Sequence, residues 1–174
     1  MTTQSKRASK APARVETPQR RLTLGLFLDN LTGKYQNMLL QGMDDLARER
    51  DFNLLCFVGG GVWPTGQPAN PNNVLYELLD KESLDGLVIA AGSVGTAVGL
   101  DDMQAFCERF CPLPQASIAM SLEKVPSVLL DNYTAMRAVV QHLVEEHGYR
   151  RLAFFHKQEG HPENDARYRA YVDV

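Results

Sequence analysis

From Leu22 to Leu28 the chain reads Leu-Thr-Leu-Gly-Leu-Phe-Leu, apolar almost without a break. A strand with one wet face alternates apolar and polar residues, whereas one covered on both faces reads as a continuous apolar run. The run therefore predicts a sheet strand sandwiched between helices. Immediately after it, Tyr35, Met38, Leu39, Gly42, Met43, Leu46 and Ala47 recur at helical spacing, with Asp44, Asp45, Arg48 and Glu49 on the other face. Phe52 to Val58 reads as a second strand. Residues Gly59 to Asn73, with three consecutive glycines and three prolines, read as a loop.

The alternation continues to the end of the chain. Asn73 to Lys81 predicts a short helix, Asp85 to Ala91 a third strand, and Leu100 to Phe110 a helix stopped by Pro112. Gln115 to Met120 and Ser127 to Leu130 are two more short strands. Tyr133 to Glu146 predicts a helix burying Ala135, Ala138, Val139 and Leu143, with Gly148 as its cap. Arg150 to Phe155 is the last expected strand, and a helix begins near Asp165. Repeated strand–helix–strand units imply an α/β fold, a parallel sheet in a three-layer sandwich with right-handed crossovers. Ligands in such folds sit at the carboxyl ends of the strands, which here means the loops after Leu28, Val58, Ala91 and Met120.

Charge is uneven along the chain. Residues 1–21 hold six cations against Glu16, net +5, and the rest holds 12 cations against 20 acids, net −8. The first segment, rich in Ser, Thr, Pro and Ala, predicts a disordered basic leader, and the acidic body argues against direct nucleic-acid binding. No apolar run approaches the ~18 residues of a membrane span, and the N-terminus lacks the apolar middle of a secretory signal, so a cytoplasmic location is expected. Cys56, Cys107 and Cys111 suit no disulfide framework there and are expected to be packing residues.

No catalytic pattern survives inspection. The first strand ends Leu28-Asp29-Asn30, followed only by Gly33, so the G-x-G-x-x-G of a dinucleotide site is missing, as is a phosphate-binding G-x-x-x-x-G-K-[ST]. A phosphoryl-accepting receiver would need a carboxylate after the third strand, where Ala90-Ala91-Gly92-Ser93 stands. There is no G-x-S-x-G elbow. His142, His147, His156 and His161 form no metal-binding H-E-x-x-H pair, and His142 is expected as a packed core histidine. Neither metal nor cofactor is expected.

The most specific pattern lies near the end. Val128-Leu129-Leu130-Asp131-Asn132-Tyr133 precedes Ala138-Val139-Val140-Gln141-His142-Leu143, then Gly148-Tyr149-Arg150-Arg151-Leu152-Ala153-Phe154-Phe155. These segments resemble the effector-binding core of the lactose-repressor and galactose-repressor family. Its members carry a V-x-x-D-N strand end, a helix ending H-L-x-x-x-G-H/Y, and a basic pair before an I-A-F-I strand. The resemblance, shared with periplasmic sugar-binding proteins, covers roughly Leu22 to Val174. It implies the first lobe of a type I periplasmic-binding-protein-like fold plus the start of the second. Residues 1–21 would be the leader, 22–130 an incomplete first α/β lobe, and 131–174 the crossover and beginning of the second lobe. Asp131 and Asn132 would form the hinge about which the lobes close on ligand.

The resemblance also assigns a site. Tyr35 matches an aromatic that stacks on ligand, Ser93 a cleft-facing polar group after the third strand, and Asp29 ends the first strand at the same rim. Asp165-Ala166-Arg167-Tyr168-Arg169-Ala170-Tyr171 resembles the family's A-R-x-x-x-G-F/Y segment, which gives Arg167 the role of binding ligand oxygens with its planar donors. Ala170 stands where the family has Gly, which leaves Arg169 as the alternative. The implied partners are a sugar-like small-molecule effector and a second copy of the chain, with no membrane contact. Some twenty polar residues before Leu22 are too few for a helix-turn-helix reader. The expectation is thus a fragment of a longer bacterial regulator, sensing ligand ahead of a downstream output domain. A ligand-responsive repressor whose helix-turn-helix lies outside this chain is the alternative, and a Rossmann-like nucleotide enzyme a third reading.

Overall fold

Strands β1 (Thr23–Leu28), β2 (Asn53–Val58), β3 (Gly86–Ile89), β4 (Gln115–Ile118) and β5 (Ser127–Val128) pair in parallel in the order β2-β1-β3-β4-β5. The computed structural model describes residues 20–155 and 161–174. The basic leader expected over 1–21 therefore falls outside the described residues except for its last two. Those are tied to the body, Arg20 to Asp85 at 2.8 Å and Arg21 to Asp51 at 3.0 Å.

The apolar run predicted to be covered on both faces is so. Leu26, Phe27 and Leu28 are fully buried. Leu26 and Leu28 point to one side with Ala90, where Leu39, Leu40 and Met43 of α1 (Lys34–Arg50) pack on them. Phe27 points to the other with Leu87 and Ile89, toward α2 (Val74–Glu77) and α4 (Leu100–Glu108). Its ring centroid lies 4.4 Å from that of Tyr76 and 4.9 Å from that of Phe110. Side-chain alternation along one strand thus feeds two cores, and each fully buried Leu or Phe contributes roughly 1.5–3 kcal/mol.

Several expected boundaries shift. The third strand stops at Ile89 rather than Ala91, because Ala91–Val94 winds into the short helix α3. That turn packs closely on the end of β4: a Cβ on Gly92 would stand 2.7 Å from the Cβ of Ala119, itself held at φ +65°. β5 has two residues, not four, and Leu129 and Leu130 are exposed. Within the predicted loop, Pro71–Asn73 forms a 3-10 turn capped by the Asn70 side chain.

Beyond the sheet, α5 (Asn132–Glu145) and α6 (Pro162–Val172) pack on each other, burying Val140 and Ala170. The Asp131 side chain caps α5 by accepting from the Thr134 amide at 3.0 Å. Gly148 ends the turn at φ +67°, as expected of a helix stop. The rest of the α5 expectation is corrected: Ala135, Ala138 and Val139 are exposed, because among the described residues only α6 covers this helix. His142 is likewise exposed, not a core residue. The strand expected over Arg150–Phe155 does not form, since among the described residues no neighbouring strand offers it a ladder. It is held by α6 instead: the Tyr171 hydroxyl donates to the Leu152 carbonyl at 2.8 Å, and the Phe154 ring lies 5.2 Å from that of Tyr171. α6 itself begins three residues before Asp165, with Pro162 in its first turn. Of the three cysteines only Cys107 packs in the core; Cys56 and Cys111 are exposed.

Candidate functional site

The carboxyl ends of β1, β3 and β4 form a rim, and α6 leans over it. Three polar side chains come from α6 and its cap: His161 meets the rim, whereas Glu163 and Arg167 meet Asn132 at the start of α5. His161, 7% exposed, brings Nε2 to 3.4 Å from the Gly92 carbonyl oxygen on the far side. Glu163 Oε1 accepts from Asn132 Nδ2 at 3.0 Å. Arg167 Nη1 donates to Asn132 Oδ1 at 3.0 Å and Nη2 to Asn164 Oδ1 at 3.2 Å.

Asn132 is the centre of this arrangement. Its amide donates to Glu163 and accepts from Arg167, using both ends of one planar group. Glu163 and Arg167 stand four residues apart on α6, the spacing that brings side chains onto one face, and their charged atoms approach to 3.7 Å. Beside this hub opens a cavity of about 140 Å³ lined by Met120, Leu129, Leu130, Asn132, Glu163 and Ala166 among others. Its walls are mostly apolar, with a polar corner formed by Asn132 and Glu163.

The sequence-predicted residues divide into two groups. Arg167 and Asn132 meet at the hub. Arg169 does not: its guanidinium lies 4.8 Å from the centre of the Tyr133 ring. Tyr35 is partly exposed, and its hydroxyl titrates above the ordinary tyrosine range because of partial burial and then the Glu163 carboxylate, which places it within electrostatic reach of α6. Asp29 and Ser93 sit on the rim but are engaged locally. Asp29 accepts from Asn30 Nδ2 at 2.6 Å and Gln36 Nε2 at 3.0 Å, while Ser93 Oγ donates to the Ala90 carbonyl at 3.1 Å. Asp131 faces away as the α5 cap.

Three residues escape the sequence reading. Glu163 carries a signal in its four-residue spacing from Arg167. His161 carries none. Its Nδ1 is buried without a hydrogen-bond partner, a burial that depends on the tertiary approach of α6 to Gly92. Tyr76, also missed, supports the rim from beneath: fully buried, its hydroxyl lies 2.8 Å from the Leu28 carbonyl oxygen and 2.7 Å from that of Gly60. Burial holds that hydroxyl protonated far above the ordinary tyrosine range. Among the described residues no group of three or more His, Cys, Asp or Glu is placed to hold a metal ion.

No protein-family model matches the chain, and no curated protein matches it in sequence. Solved structures do. The chain is similar to the transcription regulator CcpA of Lactococcus lactis (TM-score 0.68, 21% identity, covering 88% of this chain and 53% of that one). It is similar to a LacI family transcriptional regulator from Enterococcus faecium with bound ribose (0.62, 18%, 87% and 51%). A third likeness is GanP, a glucose-galactose binding protein from Geobacillus stearothermophilus (0.66, 15%, 89% and 54%). The chain spans about half the length of each. Its fold is the type I periplasmic-binding-protein-like α/β sandwich that LacI-type regulators and sugar-binding proteins share.

Proposed function

We propose that the chain is the ligand-sensing part of a bacterial regulator, taking a neutral, sugar-like molecule between the strand ends and α6. The carrying observation is the Asn132 amide, which joins the first residue of α5 to both Glu163 and Arg167 of α6. In this reading residues 22–130 act as one lobe, the segment from 131 onward belongs to a second, and Asp131 and Asn132 are the hinge. Ligand hydroxyls replace part of the Asn132–Glu163–Arg167 network, with Tyr35 closing from the α1 side and Asp29 and Ser93 on the rim. Ligand shifts the lobes only as far as its affinity differs between their arrangements. The bound ribose and the glucose-galactose name of two similar structures support the sugar class. Among the described residues no helix is long and apolar enough to cross a membrane, in keeping with a cytoplasmic regulator that works as a homodimer and passes closure to an output domain. A repressor whose DNA-binding part lies elsewhere uses the same site.

A thermal-shift screen of ribose, allose, glucose and galactose on the 174-residue chain, followed by titration calorimetry of any hit, is the test. Arg167→Ala is expected to abolish binding and Arg169→Ala to leave it intact. Equal affinity of Arg167→Ala and the parent would sink the assignment.

A further inference from the structure

The C-terminal stop of α5 presents two imidazoles to each other on the surface, away from the cleft and from both cores. His142 lies in the last turn of the helix; His147 lies just past its end, and both are exposed. The backbone between them is fixed by the stop itself. The Tyr149 amide donates to the Leu143 carbonyl at 3.1 Å, around Gly148 at φ +67°. His147 is further held by stacking on Tyr149, with ring centroids 5.5 Å apart and planes 14° from parallel. The two histidine rings stand nearly perpendicular, at 85°, and their Nε2 atoms are 3.1 Å apart.

We propose that His142 and His147 form a two-histidine chelate for a divalent transition-metal ion of the nickel, copper or zinc type. With metal–nitrogen bonds of about 2.0–2.1 Å, two nitrogens on one ion stand about 2.9 Å apart at a right angle and about 3.4 Å apart at the tetrahedral angle. The observed separation falls between the two. Without metal, the contact requires one ring to donate a proton and the other to accept it. Metal binding moves that proton, through solvent, to Nδ1 of the donor ring, so that both Nε2 lone pairs turn onto the ion as the rings rotate. Imidazole selects these ions over magnesium and calcium, which seek oxygen. Because among the described residues no third Cys, Asp, Glu or His joins the pair, the remaining coordination positions go to water or to a donor from a partner molecule. The ion would bridge residues five apart across the helix stop, and so fasten the end of α5 to the turn that follows it.

The test is calorimetric titration of Ni2+ into the 174-residue chain carrying Cys56→Ser and Cys111→Ser, which removes the two exposed thiols as competitors. One ion is expected per chain, displaced by Zn2+ but not by Mg2+, with a melting temperature that rises with Ni2+. His142→Gln and His147→Gln should each weaken binding by about tenfold or more and abolish the rise in melting temperature. Both positions are exposed, so far-UV circular dichroism of the variants should match the parent. Ni2+ binding that survives unchanged in both variants, or no uptake at millimolar Ni2+, overturns the proposal.

Discussion

Tyr76→Phe removes one oxygen from the middle of the larger core and leaves every ring contact of that side chain in place. The two carbonyls that face the hydroxyl are not equally dependent on it. That of Leu28 also accepts from the Gly59 amide at 3.2 Å, so it stays paired. That of Gly60 is only part-buried, so water can replace the lost donor. The loss is therefore close to one net hydrogen bond, about 1–1.5 kcal/mol, without the further penalty of a stranded buried carbonyl. For a chain of this size that lowers the melting temperature by roughly 2–6 °C. Tyr76→Ala, which also empties the space between Phe27 and Phe106, should cost about 3–5 kcal/mol. Urea denaturation followed by circular dichroism measures both. If Tyr76→Phe costs as much as Tyr76→Ala, the hydroxyl carries far more than one bond and the apportioning above is wrong.

Gly92→Ala forces a Cβ to 2.7 Å from that of Ala119; an overpacking penalty of roughly 1–3 kcal/mol is expected, read as a lower urea midpoint, and an unchanged midpoint would show that the turn yields freely. Burial raises the Cys107 thiol to about 12, and partial burial raises Cys56 less strongly. A chromogenic disulfide reagent should therefore count Cys56 and Cys111 in the native chain and Cys107 only after denaturation; three native thiols would contradict the core assignment. The Thr134 amide holds the Asp131 carboxyl below the ordinary carboxylate range. Because the folded value is the lower one, the cap's contribution is present above about pH 4 and fades as pH falls through the depressed value. Asp131→Asn should accordingly differ from the parent in urea midpoint near neutrality and lose that pH dependence; parallel profiles down to pH 2 would refute the ionised cap.

What the sequence discloses and what it hides follow one physical line. β1 is legible because burial on both faces demands an unbroken apolar run, and Gly148 because a left-handed backbone favours glycine. Both are local requirements. The Arg150–Phe155 segment has the composition of a strand, but a strand exists only with a neighbour, and composition carries no information about that neighbour. The same holds for Ala135, Ala138 and Val139, whose spacing marks a face without saying what covers it. The contact between Arg167 and Asn132 joins two residues that the family pattern names separately, one as a ligand contact and one as a hinge. His161 and Tyr76 act through partners 69 and 48 residues away, and no spacing rule reaches that far.

The close approach of Gly92 to Ala119 divides the proposed cleft into a part that side-chain exchange can retune and a part that it cannot. On the β3–β4 side the floor is mostly backbone, because the carbonyl of Gly92 and the left-handed Ala119 leave no room for a new side chain. A substitution there moves the floor instead of decorating it. On the α6 side Glu163, Ala166 and Arg167 share one helix face, which the buried Ala170 anchors one turn further on. In the proposed site, new ligand preferences should therefore arise by exchange at Glu163, Ala166 and Arg167, over a floor whose shape stays constant.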